Sequence, residues 1–186
     1  MVEVAAVLGV SGVGKSWLIE RFGRTTEIAH AQASQLIRDA RVEICGRLES
    51  QEELRQGAIL DNQALLVEVF AKFRIAATKP IIFDGHSLID VGETLVEIPV
   101  EVIRAIDPAG LIFIKDEPAL IVARRAHDTL RQRPVRSEAE ILDHQSRAQA
   151  LCERYAEALN IRLTLVQAGN EEEFSFAVSS ALNVGA

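Results

Sequence analysis

The chain has 186 residues, of which 48% are hydrophobic and 25% charged, and its formal net charge is −7. This length suits one domain whose core needs neither disulfides nor a structural metal. The acidic balance argues against a protein that coats nucleic acid, because such binding relies on a broad basic face. The sequence has no apolar stretch of membrane-spanning length and no secretory signal. We therefore expect a cytoplasmic protein.

The first predicted strand, residues 2–8, leads into a glycine-rich segment. Residues 9–16 match the P-loop pattern G-x-x-x-x-G-K-[ST], and a helix from residue 15 to about residue 23 follows. In this motif backbone N–H groups and a helix N-terminus surround phosphate oxygens, the lysine reaches the β- and γ-phosphates, and the hydroxyl ligates Mg²⁺. The motif predicts binding of MgATP or a related triphosphate through Gly9, Ser11, Gly12, Val13, Gly14, Lys15 and Ser16.

Trp17 follows the loop and is grouped with these nucleotide-binding positions by its place alone. An aromatic residue just inside a helix more often packs on a neighbour than contacts a nucleotide. The pattern therefore assigns Trp17 no chemistry.

Short apolar strands alternate with longer helical patterns along the rest of the chain. Further strands are predicted at residues 27–31, 80–84, 111–115 and 161–166. Helices are predicted through residue 42, from a capping box of Ser50 and Glu53, from Pro118 into the Arg-rich stretch 124–136, from a capping box of Ser137 and Glu140, and from about Glu171. This alternation predicts a parallel sheet with helices on both faces, a doubly wound α/β fold.

Asp84 ends one of the buried strands. Ligands of doubly wound folds gather at the carboxyl ends of the strands, so we expect Asp84 at the same edge of the sheet as the P-loop. An NTPase places there the acidic residue that holds Mg²⁺, directly or through its waters. The alternative is an aspartate that serves only in a turn before Gly85.

Five arginines are candidates for contacts with anionic substrates. Arg124, Arg131 and Arg133 could gather around one anionic ligand, because arginines three, four or seven apart share a helix face. Guanidinium groups stabilise the charge that phosphoryl transfer spreads over oxygens, although a solvated basic helix face would have the same composition. Arg38 and Arg55 lie between the P-loop and Asp84, where small P-loop kinases hold the second substrate, and a surface role stays open for both.

Three segments resemble the adenylate kinases of the compact archaeal type, within the nucleoside monophosphate kinases. They are the P-loop at residues 9–16, the hydrophobic-Asp-Gly-His segment at residues 81–86, and the Asp-Thr-x-Arg-x-Arg sequence at residues 128–133. The spacing between these blocks agrees as well. The resemblance extends from Val4 to about Val166 and departs from many adenylate kinases at residues 33–38, which lack a Gly-Asp pair.

The resemblance implies a three-layer α/β/α P-loop fold with a five-stranded parallel sheet of order 2-3-1-4-5. It implies a single kinase domain over residues 1–186, with an acceptor-binding helical insertion at about 31–76 and a short Arg-rich lid at about 124–136. The implied reaction is reversible phosphoryl transfer from MgATP to AMP, so the partners are small-molecule nucleotides. A trimer would be consistent with the archaeal resemblance.

The resemblance also implies roles for individual residues. Lys15 and the loop amides would hold the triphosphate, Ser16 would ligate Mg²⁺, and Asp84 would orient the waters of the ion. Arg124, Arg131 and Arg133 would clamp the transferring phosphoryl group, and Arg38 would bind the AMP phosphate. Arg55, Gly85 and His86 are further candidates for the substrate side, although an ordinary loop histidine is an alternative for His86.

Other functions compatible with a P-loop stay open to different degrees. A GTPase switch is disfavoured, because the chain has no Asn-Lys-x-Asp sequence to read guanine. A kinase for another small acceptor and an ATP-gated binding protein with weak ATPase activity both remain alternatives, because the sequence does not reveal which groups contact the acceptor.

Overall fold

The computed structural model describes residues 1–45, 59–91, 94–128 and 134–184. The described strands are β1 (Val4–Leu8), β2 (Ala29–Gln32), β3 (Ile81–Asp84), β4 (Leu88–Val91), β5 (Thr94–Glu97), β6 (Gly110–Lys115) and β7 (Arg162–Gln167). The described helices are α1 (Lys15–Phe22), α2 (Ala33–Cys45), α3 (Ile59–Ala76), α4 (Val100–Ile106), α5 (Pro118–His127), α6 (Glu138–Leu159) and α7 (Glu171–Leu182).

The main sheet has five parallel strands in the order β2-β3-β1-β6-β7. The central strand β1 is buried along its whole length, as expected for a parallel strand covered on both faces. It pairs with β3 in a register that places Val7 opposite Asp84. The chain therefore leaves β1 towards the P-loop at the same edge at which β3 ends in Asp84.

Aromatic contacts between layers fix the helices on the sheet. Phe22 of α1 meets Phe174 of α7 edge to face, with ring centroids 6.1 Å apart. Phe70 of α3 meets Phe83 of β3 in the same arrangement at 5.4 Å. Helix α7 packs on β1, β6 and β7, and α6 packs on β6 and β7. None of the helices in the described ranges is both long and apolar enough to cross a membrane.

The structure confirms the predicted fold class. The predicted order 2-3-1-4-5 corresponds to β2-β3-β1-β6-β7 once the separate hairpin of β4 and β5 is set aside. The capping box of Ser137 and Glu140 is present at the start of α6, whereas that of Ser50 and Glu53 lies outside the described residues. The helix from Pro118 ends at His127, and Asp128 and residues 134–137 are not helical, while residues 129–133 of the Arg-rich stretch lie outside the described residues.

The sequence prediction missed the antiparallel hairpin of β4 and β5 and the short helix α4. Each of these elements has seven residues or fewer, so a helical period barely develops and a strand alternation is brief. The available signal was a pair of apolar runs on either side of Gly92-Glu93, which is typical of a hairpin.

The hairpin region is attached to α6 through buried polar contacts. The Ser87 hydroxyl donates to the Ala148 carbonyl at 2.9 Å. The Tyr155 hydroxyl donates to the carbonyl of Ile98, and it lies 3.4 Å from the Ser87 carbonyl. These bonds hold β4 and β5 beside the carboxyl end of the main sheet.

Replacing Tyr155 by Phe should destabilise the protein without affecting nucleotide binding. The change leaves the buried Ile98 carbonyl without its hydroxyl donor, so the free energy of unfolding should fall by about 1–3 kcal/mol. Urea denaturation measures the change. Ser146→Ala is the matched control, because that α6 hydroxyl donates to the Leu142 carbonyl at an exposed position. Equal stabilities of the two variants would contradict the proposed attachment.

Candidate active site

The glycine-rich loop between β1 and α1 has the backbone of a phosphate-binding nest. Gly12 and Gly14 have φ angles of 84° and 108°, in the left-handed region that favours glycine. A Cβ at Gly12 would approach Arg125 Cγ to 2.9 Å, whereas one at Gly14 would meet nothing within 4 Å. The side chains of Val10 and Val13 are buried beneath the loop. The backbone of the loop at Gly14, which is the N-cap of α1, therefore borders open space.

Lys15 is folded over the loop. Its side chain is buried, and Nζ donates to the Gly9 carbonyl at 3.0 Å and lies 3.9 Å from Asp84 Oδ1. His86 Nδ1 lies 2.6 Å from the same Gly9 carbonyl. Because a carbonyl only accepts, this contact assigns the proton to His86 Nδ1, and Lys15 Nζ is a neighbour of that nitrogen at 3.4 Å.

Asp84 is buried where the strand prediction placed it. Ser16 Oγ lies 3.5 Å from Asp84 Oδ2, and His30 Nε2 lies 3.4 Å from the same oxygen. Burial by itself would raise the pKa of Asp84. The hydrogen bond from His30 and the charges of Lys15, His86 and His30 outweigh it and hold that pKa below its ordinary value. Asp84 is therefore a carboxylate at neutral pH.

Arg124 contacts the loop from α5. Its Nη1 donates to the Val13 carbonyl at 3.1 Å, and its Nη2 pairs with Asp116 Oδ2. Asp116 follows β6 and is fixed by Gln167 Nε2, which donates to Oδ1 at 2.7 Å, and by two hydrogen bonds between its backbone and Gln145. With 43% of its side chain exposed, Arg124 also lines the cleft.

Of the other predicted arginines, only Arg38 lies within the described residues, and it is not brought to the loop. Arg38 donates to Gln35 on its own helix and is not among the residues that line the cleft. Arg41, one turn further along α2, donates instead to Asn62 Oδ1 on α3 at 2.6 Å. Arg55, Arg131 and Arg133 lie outside the described residues, so their roles stay predictions.

A cleft of about 430 Å³ opens beside the loop. Its loop side contains Lys15, Ser16, Asp84 and Arg124, together with Gly85 and His86. Trp17 lines it too, with 47% of its side chain exposed and the Arg21 guanidinium 5.6 Å from its ring centroid. The apolar side chains that line the cleft away from the loop sequence, which we term the apolar wall, include Ile37, Leu66, Leu88, Ile98, Val102 and Ile103.

Sequence reasoning missed several polar side chains of the cleft. Asn62 and Gln63 are buried on α3 and line the cleft beside Leu66. His144 of α6 is buried too, and its Nε2 has no hydrogen-bond partner among the described residues. Burial lowers the pKa of His144, so its ring is neutral. No motif marks these positions, and the available signal was a polar residue within an apolar helical pattern.

The AAA domain family matches the chain over residues 8–142. The chain belongs to this family. The chain is 29% identical over 188 residues to the adenylate kinase of Thermococcus onnurineus, and the match covers 97% of this chain and 94% of that protein. It is 26% identical over 185 residues to the adenylate kinase of Thermococcus kodakarensis, with the same coverage.

Solved structures with the same fold are small P-loop kinases. The shikimate kinase of Bacteroides thetaiotaomicron has a TM-score of 0.59 at 14% identity, covering 98% of this chain and 99% of that one. A sugar kinase from Janibacter has a TM-score of 0.57 at 14% identity, covering 100% and 96%. These two similarities establish the fold alone, and the curated relatives confirm the resemblance to adenylate kinases. This AAA domain protein is a phosphotransferase.

Proposed function

We propose that the protein is a nucleoside monophosphate kinase that transfers the γ-phosphoryl group of MgATP to AMP. The observation that carries the proposal is the grouping of Lys15, Ser16 and Asp84 around the open mouth of the loop. An ammonium group, a hydroxyl and a carboxylate are the three groups that P-loop enzymes use to bind phosphates and their Mg²⁺. The adenylate kinase relatives support the same assignment.

The residues at the loop fit a bound magnesium ion. Ser16 and Asp84 offer hard oxygen ligands within 3.5 Å of each other. Among the described residues no three His, Cys, Asp or Glu side chains form a metal-binding group. Mg²⁺ is commonly held by one or two protein oxygens together with substrate phosphates and water, and Ser16 and Asp84 provide two such oxygens. When bound, the ion would neutralise charge on the β- and γ-phosphates.

In the proposed complex the side chains position and neutralise rather than react covalently. Lys15 would exchange its contact with the Gly9 carbonyl for phosphate oxygens, as the amides of the loop enclose the donor. Asp84 would orient water on the metal. We further propose that Arg124, with Arg131 and Arg133, stabilises the charge of the transferring group. Exclusion of water from the closed cleft would limit hydrolysis of ATP.

We propose that the acceptor lies between the loop and the apolar wall. A nucleobase is flat and largely apolar on its faces, so it suits packing on that wall. Gly85, His86, Asn62 and Gln63 add polar contacts. Arg38 and Arg55 would bind the acceptor phosphate, which requires Arg38 to turn away from Gln35. The corresponding organisation is one kinase domain over residues 1–186, with acceptor binding at about 31–76 and the Arg-rich segment at about 124–136.

Two further attributes of the enzyme are proposals of the same kind. We place it in the cytoplasm, where its nucleotide substrates occur. We also propose a homo-oligomer, as the sequence resemblance implies, although the monomer already contains the loop, Asp84 and the apolar wall.

A kinase for another small acceptor is the second candidate, and one observation favours it. Arg38 does not line the cleft, whereas the apolar wall does. An acceptor that carries a hydroxyl group but no phosphate would need no arginine there. An ATP-gated binding protein with weak ATPase activity would instead need no acceptor at all.

A coupled assay of ADP formation tests these functions. With MgATP, ADP formation should exceed the acceptor-free rate most strongly for AMP in a panel of AMP, dAMP, CMP, UMP and GMP. Lys15→Met, purified in the same way, controls for host kinases. Activity only with hydroxyl compounds such as shikimate or sugars would replace the proposed acceptor. A rate that no acceptor increases would favour the ATP-gated role and overturn the kinase assignment.

A further inference from the structure

Two consecutive arginines of α5 bind two carbonyls of the phosphate-binding loop. Arg124 Nη1 donates to the Val13 carbonyl at 3.1 Å, and Arg125 Nε donates to the Ser11 carbonyl at 2.9 Å. Neighbouring residues on a helix point about 100° apart. The two side chains therefore hold the loop at two separate peptides.

The direction of these carbonyls decides where the amides of the loop point. In a trans peptide the C=O of one residue and the N–H of the next point in opposite directions. A Ser11 carbonyl held by Arg125 thus directs the N–H of Gly12 away from α5. A Val13 carbonyl held by Arg124 does the same for the N–H of Gly14. Both amides belong to the nest that binds phosphate in a P-loop.

Arg125 differs from Arg124 because it is buried and tied to the hairpin. Only 7% of its side chain is exposed, as is 7% of the side chain of Asp90 on β4, and Nη1 lies 3.6 Å from Asp90 Oδ2. Arg136 Nη2 donates to the other oxygen of Asp90 at 2.9 Å. The stem of Arg125 lies against Gly12, where a Cβ would come within 2.9 Å of Arg125 Cγ. This contact, together with the positive φ of Gly12, explains a glycine at a position that the motif leaves unspecified.

We infer that Arg125 is a positioning residue of the nest: it fixes the Ser11–Gly12 peptide so that the Gly12 amide faces the phosphates, and Asp90 fixes Arg125. The inference rests on the proposed binding of MgATP and is independent of the acceptor. A preformed nest binds more tightly because no peptide has to turn when the ligand arrives. A hydrogen bond to a charged oxygen is also stronger than one to a neutral group.

The affinity for MgATP is the first readout. Arg125→Met keeps most of the stem and removes the guanidinium, so the Kd for MgATP in calorimetry should rise about tenfold, equivalent to about 1.4 kcal/mol. The KM of the acceptor should stay unchanged. Arg125→Lys, which reaches the Ser11 carbonyl or Asp90 but not both, should restore part of the affinity. Asp90→Asn should weaken binding less, since it leaves the bond to Ser11 in place.

The amide signals of individual glycines are the second readout, which a general loss of stability would not reproduce. In protein labelled with ¹⁵N-glycine, MgADP should shift the Gly12 and Gly14 amide protons of the wild type. Arg125→Met should diminish the shift at Gly12 and preserve it at Gly14. Arg124→Met should show the reverse pattern. Arg147→Met, an exposed arginine paired with Asp143 on α6, is the control and should leave both shifts unchanged.

The outcomes separate this inference from the proposed function. A wild type that binds no MgATP would overturn the proposed function. A wild type that binds it, with a folded Arg125→Met variant whose Kd is within twofold, would overturn only the positioning role. If Arg125→Met does not fold, Arg125→Lys and Asp90→Asn decide, and wild-type affinity with an unchanged Gly12 shift in both would overturn the role.

Discussion

Lys15→Met should strongly reduce phosphoryl transfer while leaving the fold intact. Methionine fills similar space but carries no charge, so the phosphates and the transition state lose an ammonium group in a buried, low-dielectric position. Removal of one preorganised donor of this kind costs about 10²–10³-fold in turnover. We therefore expect kcat to fall by at least about 10²-fold in the coupled assay.

Lys72→Met is the matched control for this variant. Lys72 is an exposed lysine of α3 that pairs with Glu68, so its loss should leave kcat unchanged. The fluorescence of Trp17, the single tryptophan of the chain and a residue of the cleft, reports nucleotide binding in both variants. Wild-type turnover in Lys15→Met would show that the loop is not the donor site.

Asp84→Asn should reduce turnover by about 10²-fold and raise the Mg²⁺ concentration needed for half-maximal rate. The amide keeps the shape of the side chain but removes the negative charge beside Ser16 that suits a divalent cation. Titration of kcat with Mg²⁺ measures both effects. Asp107→Asn is the control, because Asp107 is an exposed carboxylate that pairs with Arg74. An unchanged rate in Asp84→Asn would show that Asp84 serves only as a turn residue.

The pH dependence of stability provides a second test of Asp84. Its pKa in the folded protein is lowered, so its contribution to stability is present above its ordinary pKa near 3.8 and is lost as pH falls through the folded value. The thermal midpoint of the wild type should consequently fall more steeply than that of Asp84→Asn as the pH is lowered into this range. Parallel curves would show that His30 and Lys15 do not hold the carboxylate in its charged form.

The grouping of the glycine-rich loop with Asp84 could be predicted from the sequence because its signals are local. Four fixed residues define the loop, and the short chain from Gly9 to Ser16 keeps Lys15 beside the loop backbone, where its Nζ donates to the Gly9 carbonyl. Asp84 was predictable for a related reason. A residue that ends a buried parallel strand lies at the edge where the loop also emerges, and the register of Val7 with Asp84 confirms this.

The arginines show where the sequence was insufficient. Arg124 and Arg125 are adjacent and chemically identical, yet one is exposed at the cleft and the other is buried against Gly12 and Asp90. That difference depends on the rotation of α5 about its axis. Arg38 and Arg41 present the same problem on α2, where Arg41 rather than Arg38 reaches Asn62 on α3.

Among the elements that the sequence did not predict, the hairpin of β4 and β5 contributes most to the site. It supplies Leu88 and Asp90 and, with the following residues, Ile98, so it contributes both to the apolar wall and to the anchor of Arg125. The residues on either side of the hairpin, Ser87 and Ile98, are held by Tyr155 of α6, which lies 57 to 68 residues further along the chain. Distant contacts of this kind leave no local period in the sequence.

By itself, the sequence determined the alternation of strands and helices, the phosphate-binding loop and the acidic strand end, because each depends on neighbouring residues or on a rule of strand direction. Only the tertiary structure decided which arginine contacts which carbonyl of the loop, which polar side chains line the cleft and which part of the cleft the hairpin lines. Those features depend on the rotation and packing of elements far apart in the chain, where small differences in orientation decide whether a charged side chain meets a ligand, a carbonyl or solvent.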